Sequence, residues 1–305
     1  MGTLSILYNK QRELCSQCSS GTMYRSSTVF NKSLFKQILT NLRNVYKSSN
    51  NGQEQQIKIA GQTINYLKKG NGPQTILCFP GAFGTIWTDF TPQIEELDTK
   101  KFTVVVWDPP GYGKSRPPQR TFTNDFYIKD ADMAAKLMKE LHIDKYSLLG
   151  WSDGGNSSMI LSSMYPNCVD NLVIWGSNSK ILPDDITACE KIRDINSWSE
   201  KMKRPFIKMY GDEFQTLINN WLDALHNIAK EGGNICHDML PSIKCPTLIL
   251  HGNKDAMIAE EHPDILLKNI KNSKIHRFPE GKHNIHLRYS QEFNAVVSRF
   301  IEEHK

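Results

Sequence analysis

The segment Leu148–Ser158, LLGWSDGGNSS, carries a serine in a setting that suits covalent chemistry. An apolar run ends at Gly150, Ser152 follows two residues later, and Gly154 and Gly155 come directly afterwards. A G-x-S-x-G sequence between a strand and a helix holds its serine on a strained turn with Oγ exposed. The N–H groups that begin such a helix favour negative charge at the same point. We therefore predict that Ser152 is a nucleophile.

A serine hydroxyl is a weak nucleophile until a base takes its proton and a third group orients that base. Asp255 follows the apolar stretch TLILH, and His283 follows the stretch KIHRFP. Like Ser152, both come just after a predicted strand, and in an open α/β sheet the carboxyl ends of the strands form the site. The chain order Ser, Asp, His also agrees with a triad on such a sheet. We predict that Ser152, Asp255 and His283 form a catalytic triad.

Other titratable residues near these positions remain alternatives. His286 lies three residues beyond His283 and is a second candidate base, although we expect it to open the last helix. His251 ends a predicted strand, which favours a structural role. Asp212 and Asp238 fall in a helical region, where a solvated surface position is expected.

Acyl transfer also requires donors for the tetrahedral oxyanion, each contributing about 2.7–4 kcal/mol. The glycine-rich stretch FPGAFG at 79–84 follows a predicted strand. We predict an oxyanion hole made by the backbone N–H groups of Ala82 and Asp153. A second glycine-rich stretch at 107–115 lacks the GxxxxGK[ST] spacing of a phosphate-binding loop and is interpreted as a structural turn.

Short apolar runs that end at Gly or Pro alternate with helical patterns along most of the chain. Such runs are typical of strands covered on both faces of a parallel sheet. Strands are predicted at 62–69, 75–79, 102–107, 146–150, 171–175, 247–251 and 274–279. Helices are predicted at 91–97, 126–141, 154–165, 262–269 and 291–303. This alternation predicts an α/β fold with a mostly parallel, doubly wound sheet.

One interval interrupts the alternation and predicts an inserted helical cap. Residues 177–243 contain helix after helix, and we expect them to cover the carboxyl edge of the sheet. The core is accordingly predicted at 56–176 and 244–305. The cap contains five large aromatic residues, most of which should pack its own interior while one or two line a pocket. They are Trp198, Phe206, Tyr210, Phe214 and Trp221.

The basic character of the chain is concentrated near its beginning. The formal net charge is +5, and residues 1–50 hold seven basic side chains against one acid. We predict a basic extension over 1–55 that is either a mitochondrial transit peptide or a plain extension with one surface helix at 34–45. The polar stretch at 48–56 is interpreted as a linker. Mitochondrial localisation is expected, with a cytoplasmic location as the alternative.

Several classes of partner are excluded by composition. No apolar run approaches the ~20 residues needed to span a bilayer, and the nearly neutral body gives no electrostatic reason to bind nucleic acid. The seven cysteines lack disulfide-framework spacing, which indicates an intracellular compartment. Cys15 and Cys18 form a CxxC without a second ligand pair, so no metal is expected. We expect a monomer that needs no cofactor.

Residues 56–303 resemble the α/β-hydrolase family. The resemblance rests on LLGWSDGG, VVVWDPPGYGKSRPP, LVIWGSN, GNICHDMLP, HGNKD and PEGKHNIHLR. It implies a serine hydrolase that acts on small α-amino-acid esters under a helical lid, often in mitochondria, with Ser152, Asp255 and His283 at the triad positions. Ala256 is a departure, because a proline is expected after the acid.

Asp153 is an unusual neighbour for a nucleophilic serine. A carboxylate at ~5 Å from a developing oxyanion opposes catalysis by about 3 kcal/mol at an effective dielectric constant near 20. Its presence is explained if the substrate brings a compensating cation. The resemblance assigns Asp153 to binding the ammonium group of an α-amino ester. The alternative is that the side chain turns away to bond backbone or solvent.

Two other functions remain open. Carbon–carbon bond hydrolases of ring-cleavage products use a similar triad but resemble G-x-S-M-G-G and carry a tryptophan after the histidine, where this chain has Asp153 and Asn284. Non-catalytic binding proteins of the same fold usually lack a triad member, whereas all three are present here.

Overall fold

The computed structural model describes residues 51–304. The predicted transit peptide, the helix at 34–45 and the Cys15–Cys18 pair lie outside these residues. The strands are β1 (Asn51–Ile59), β2 (Gln62–Lys69), β3 (Gln74–Phe79), β4 (Phe102–Trp107), β5 (Tyr146–Trp151), β6 (Val169–Trp175), β7 (Thr247–Gly252) and β8 (Ser273–Phe278).

The strands form one sheet in the order β1-β2-β4-β3-β5-β6-β7-β8. From β4 to β8 along this order all neighbours are parallel, whereas β1 pairs with β2, and β2 with β4, in the antiparallel sense. After β3 the chain places β4 on one side of it and β5 to β8 on the other, as a doubly wound sheet requires. The predicted α/β-hydrolase fold, with its mostly parallel sheet, is thereby confirmed.

The central strands are apolar because both faces of the sheet are covered. All six residues of β4 are buried. Along β3, Leu77 and Phe79 join one hydrophobic cluster while Ile76 and Cys78 join the other. Successive side chains of a strand point to opposite faces, so this division places one cluster on each side of the sheet.

Helices cover both faces and also form an insertion between β6 and β7. They are α1 (Ile86–Asp89), α2 (Thr91–Glu96), α3 (Phe126–Glu140), α4 (Asp153–Met164), α5 (Pro183–Glu190), α6 (Glu200–Tyr210), α7 (Phe214–Lys230), α8 (His262–Asn269), α9 (Ile285–Arg288) and α10 (Ser290–Glu303). Helices α5, α6 and α7 belong to the insertion. Within it Phe206 stacks on Phe214 with ring centroids 4.9 Å apart, and Trp198 packs edge-on against Phe214.

Two local expectations are wrong. The stretch 48–56 was predicted as a linker, but the chain is a strand from Asn51 onward. Its polar residues are accommodated because β1 is an edge strand, and Gln55 accepts a hydrogen bond from Tyr66 at 2.7 Å. His286 does not open the last helix. It lies in the separate single turn α9, which ends before α10 begins at Ser290.

None of the helices between residues 51 and 304 has the length and the apolar composition that a membrane span requires.

Candidate active site

Ser152 lies on the turn between β5 and α4 with a backbone that side-chain-bearing residues rarely adopt. Its φ is 54° and its ψ is −125°. Such a conformation costs about 1–3 kcal/mol and persists only where the surroundings hold it. The Ser152 N–H donates to the Trp175 carbonyl at 3.0 Å, and Ser177 Oγ donates to the Ser152 carbonyl at 3.1 Å. The end of β6 therefore holds the turn.

The glycines around Ser152 are required by close approach. A Cβ on Gly154 would lie 2.3 Å from the carbonyl oxygens of Phe79 and Pro80, at the end of β3. A Cβ on Gly150 would lie 2.5 Å from Ser158 Oγ. Any side chain at either glycine would force the strand and the helix apart. The sequence pattern around the serine thus has a direct steric cause.

Asp255 and His283 come together from the ends of two neighbouring strands. His283 Nδ1 lies 2.9 Å from Oδ2 of Asp255, although 28 residues separate them in the chain. Oδ1 of Asp255 accepts from the N–H groups of Met257 and Ile258 at 2.9 and 3.3 Å. Burial alone would raise the pKa of Asp255, but the His283 ring, the Met257 N–H and the charge of His251 outweigh it and lower the pKa. Asp255 is therefore held as a carboxylate beside the ring.

The loop around Ala256 is closed without the proline expected there. The N–H of Asp255 donates to the Gly252 carbonyl at 2.9 Å, and the Lys254 N–H donates to the Gly281 carbonyl at 2.7 Å. These bonds tie the loop after β7 to the loop after β8. The loop that carries the acid is thus fixed by its hydrogen bonds.

Ser152 and His283 line the same cavity. Trp151 Nε1 donates to the His283 carbonyl at 3.0 Å, and a Cβ on Gly176 would lie 2.8 Å from Cε1 of the His283 ring. Within the described residues Ser152 Oγ forms no hydrogen bond, so it is unengaged in this structure. Catalytic hydrogen bonds often shorten only when substrate is bound.

The cavity is predominantly apolar and partly open to solvent. Helices α5 and α7 of the insertion supply part of its wall. Its apolar lining consists of Ile181, Ile186, Cys189, Leu225, Ile235, Met257 and Ile258. Among the large aromatic residues predicted for the insertion, Trp221 lines this cavity.

The Asp153 side chain also faces this cavity and does not turn away to backbone or bulk solvent. Tyr127 Oη donates to Oδ1 at 2.9 Å, and Trp221 Nε1 donates to Oδ2 at 2.8 Å. Burial raises the pKa of Asp153 to about 6, although these two hydrogen bonds oppose the shift. The cavity therefore holds an acidic group directly beside Ser152.

Both predicted oxyanion donors are unengaged. Within the described residues, the N–H groups of Ala82 and Asp153 donate to no other group. The loop containing Ala82 is close to the serine, since a Cβ on Gly81 would lie 3.3 Å from Cβ of Ser152. Free N–H groups beside a serine are what an oxyanion requires.

Of the alternative residues, the two histidines are buried in the core and the two aspartates are exposed on the surface. His286 is fully buried, accepts a hydrogen bond from Trp175 Nε1 at 2.9 Å, and burial lowers its pKa to about 3. His251 is buried, which lowers its pKa. Asp212 and Asp238 are exposed on the insertion.

Sequence reasoning missed two features of this site. The position of Tyr127 in the sequence predicts only that it lies on the apolar face of a helix. Its spacing does not indicate a contact with Asp153. Asp185 of α5 lines the cavity and accepts from the buried His262, whose Nε2 lies 2.7 Å from its Oδ2. Such long-range pairs leave no local signal. Within the described part of the chain, no cluster of three or more His, Cys, Asp or Glu residues could hold a metal.

A family model described as the alpha/beta hydrolase fold matches residues 74–196. The chain is 43% identical over 248 residues to Serine hydrolase BPHL of Mus musculus and of Homo sapiens, covering 81% of this chain and 85% of each relative. The motifs quoted above resemble this member in particular, biphenyl hydrolase-like protein or valacyclovir hydrolase, so the resemblance is confirmed.

More distant similarities involve carbon–carbon bond hydrolases. A 2-hydroxy-6-oxononadienedioate/2-hydroxy-6-oxononatrienedioate hydrolase of Pseudomonas putida is 28% identical, covering 78% of this chain and 91% of that protein. The meta-cleavage product hydrolase CumD of Pseudomonas fluorescens superposes with a TM-score of 0.67 at 22% identity, covering 82% of this chain and 98% of that chain. At this identity, the similarity to CumD shows a shared fold.

Proposed function

The chain belongs to the α/β-hydrolase family, and from that premise we propose that it is a serine hydrolase that cleaves carboxylic esters of α-amino acids through an acyl-enzyme. The observation that carries the proposal is a single cavity lined by Ser152, His283 and the acidic side chain of Asp153. The contact between His283 and Asp255 supports the base assignment. The 43% identity to Serine hydrolase BPHL supports the class of reaction.

In the proposed reaction Ser152 Oγ attacks the ester carbonyl carbon while His283 Nε2 takes the hydroxyl proton. Asp255 holds the ring with Nε2 toward the serine and stabilises the imidazolium. The amides of Ala82 and Asp153 bind the oxyanion. The carbon–oxygen bond to the alcohol then breaks, and His283 returns the proton to the departing alcohol. Water, deprotonated by His283, attacks the acyl-enzyme and frees the acid and Ser152.

The Asp153 carboxylate binds the substrate ammonium in this proposal. Burial beside an apolar wall strengthens a charge pair relative to water, and the ammonium cancels the repulsion between Asp153 and the oxyanion. A site built for a charged group rejects analogues that lack it, because the buried partner is left unpaired. Selectivity for a free amine is therefore expected.

The insertion acts in this proposal as a cap over a core of residues 56–176 and 244–305. Its support is that α5 and α7, within residues 177–243, supply Ile186, Cys189, Trp221 and Leu225 to the cavity wall. The enzyme is proposed to work as a monomer without a cofactor. Light scattering would test the monomer by measuring the molar mass in solution, and an esterase assay in the presence of a chelator would test whether a metal is needed.

A first experiment separates an enzyme from a binding protein. A fluorophosphonate probe should label the wild-type protein and fail to label Ser152→Ala. Absence of labelling in the wild type would overturn the proposed serine chemistry. A second experiment compares kcat/KM for a valine ester and its N-acetylated form in the wild type and in Asp153→Ala. Equal rates for both esters in the wild type would contradict amine recognition.

Carbon–carbon bond hydrolysis is a second candidate, favoured by the similarity to the Pseudomonas putida enzyme. The substrate in that enzyme's name is a dianionic dioate. Among residues 51–304, those that line the cavity include Asp153 and Asp185 but no Lys or Arg, so an anionic substrate would be repelled. Turnover of a ring-cleavage dioate faster than a valine ester would reverse this ranking.

Mitochondrial import is proposed from the basic composition of residues 1–55 alone. Fusing these residues to a fluorescent protein tests it, with cytoplasmic fluorescence as the contrary result.

A further inference from the structure

The loop between β3 and α1 carries the proposed donor Ala82 between two residues whose backbone groups are both held. On one side, the Gly81 N–H donates to Oδ2 of Asp89 at 2.9 Å. On the other side, the Phe83 carbonyl accepts from Tyr210 Oη at 2.7 Å. The Pro80–Gly81 and Phe83–Gly84 peptide groups, which bracket the short stretch that carries Ala82, are therefore anchored to side chains from two different parts of the fold.

Asp89 holds the loop from the core. Asp89 is the last residue of α1 and is only 3% exposed. Thr88 Oγ1 donates a hydrogen bond to its Oδ1 at 2.7 Å. Within the described residues no Lys or Arg forms an ion pair with it. Burial raises its pKa to about 7. A buried carboxyl without a cationic partner destabilises the fold, which indicates a role other than stability.

Tyr210 holds the loop from the insertion. It ends α6, it is 5% exposed, and its ring stacks on Phe214 with centroids 5.8 Å apart. Its hydroxyl also accepts a hydrogen bond from the Gly113 N–H at 3.3 Å, so the hydroxyl acts as both donor and acceptor.

The hydrogen bond from Tyr210 stabilises an unusual backbone conformation at Phe83. Its φ is 62°, a left-handed backbone that disfavours residues with a side chain. The Phe83 ring packs against Phe214 and Trp221 of the insertion at centroid distances of 5.5 and 5.4 Å. The Tyr210 hydrogen bond and this packing together hold a backbone conformation that the loop would otherwise leave.

We propose that Asp89 and Tyr210 are positioning residues that fix the Ala82 N–H in the direction of the oxyanion, a role that rests on the acyl-transfer function proposed above. Each residue acts through the loop, without touching the substrate. The insertion thereby takes part in the chemical step. When α6 lies on the core, the Ala82 N–H is aligned with the oxyanion. When Tyr210 withdraws, the Phe83 carbonyl is released and the Ala82 N–H loses that alignment.

The test uses the full-length protein with a valine ester as substrate. Tyr210→Phe removes one hydroxyl and keeps the ring, and Asp89→Ala removes the carboxylate. Loss of one oxyanion donor lowers kcat by roughly 10²–10³-fold, so a misaligned donor should lower kcat by about 10–100-fold. KM should stay near its wild-type value, and binding of a boronic acid transition-state mimic should weaken by the same factor as kcat.

Rescue and control variants distinguish positioning from general destabilisation. Asp89→Asn should restore most of the rate, because its amide oxygen can accept from Gly81 while its NH2 group donates to Thr88 Oγ1. Tyr66→Phe removes a hydroxyl from a similarly buried tyrosine whose partner is Gln55 on β1. This control should keep the wild-type kcat.

An unchanged kcat in Tyr210→Phe, measured on protein with a wild-type melting temperature, would overturn the role of Tyr210. An unchanged kcat in Asp89→Ala, measured in the same way, would overturn the role of Asp89. A rise in KM with constant kcat would overturn both. These failures differ from failure of the proposed function, in which the wild type itself would neither cleave esters nor react with fluorophosphonate.

Discussion

Trp221 Nε1 lies 2.8 Å from Oδ2 of Asp153, so a side chain of the helical insertion is hydrogen-bonded to the residue that directly follows Ser152. The two residues are 68 positions apart in the chain. This bond and the one from Tyr127 engage one oxygen each of the Asp153 carboxylate. The carboxylate is therefore oriented before any substrate arrives.

Trp221→Phe should weaken recognition of the substrate amine while leaving acyl transfer intact. A hydrogen bond to a charged group contributes about 1.5–3 kcal/mol, so kcat/KM for a valine ester should fall by about tenfold or more. The N-acetylated ester should be affected much less. Trp198→Phe is the matched control, because Trp198 Nε1 donates within the insertion to the Ile192 carbonyl at 2.9 Å. Equal losses for both esters would assign Trp221 to packing alone.

The KM of an amino ester should depend on pH through Asp153. Burial raises the pKa of this carboxyl to about 6, so it is ionised above that pH and becomes neutral below it. Ammonium binding is lost with the charge, and KM should rise by up to about tenfold for each pH unit below 6. Asp153→Asn should have a high KM that lacks this dependence. Steady-state kinetics between pH 5 and 7 on both proteins would check this, and a parallel pH dependence in the variant would contradict it.

Asp153→Asn should raise the melting temperature at neutral pH. The folded-state pKa of Asp153 is raised by burial, so the folded protein binds its proton more tightly than the unfolded chain does. Stability is therefore reduced above about pH 6 and recovered as the pH falls through that value. The Asn side chain can accept from Trp221 and donate to Tyr127 Oη. Differential scanning calorimetry should show a stabilisation at pH 8 that shrinks by pH 4.

Asp255→Asn should abolish most activity with little change in substrate affinity. The carboxylate that accepts from His283 Nδ1–H would be replaced by an amide whose NH2 group favours the wrong ring tautomer. The equivalent change in a serine protease triad lowers kcat by roughly 10⁴-fold. Single-turnover kinetics would measure the acylation rate. A loss below about tenfold would exclude Asp255 as the orienting acid.

Gly176→Ala should displace the His283 ring. The new Cβ would lie 2.8 Å from Cε1 of that ring, and Gly176 has a φ of 58°. Gly61→Ala is a matched control, since Gly61 in the turn between β1 and β2 has a φ of 84° and nothing within 4 Å of the added Cβ. Both changes should lower stability through backbone strain, by about 1 kcal/mol or more. Only Gly176→Ala should also lower kcat, and equal kcat values for the two variants would contradict the steric argument.

The parallel sheet could be predicted because its strands are buried on both faces and therefore read as uninterrupted apolar runs, as Phe102–Trp107 does. Strand β1 could not, because an edge strand with polar side chains has no such run. The three proposed catalytic residues were recognisable because each follows a strand. Tyr127 and Tyr210 were not, since their roles depend on pairings across the fold with Asp153 and Phe83.

Cys189 on the cavity wall has a chemical consequence for inhibition. Burial raises the pKa of its thiol to about 12, so at physiological pH it carries no thiolate able to attack an electrophile. An alkylating reagent such as iodoacetamide should therefore leave the protein active, whereas organophosphates should silence it through Ser152. Although a sulfhydryl lines the same chamber, the Cys189 thiol would not compete with Ser152 for such inhibitors.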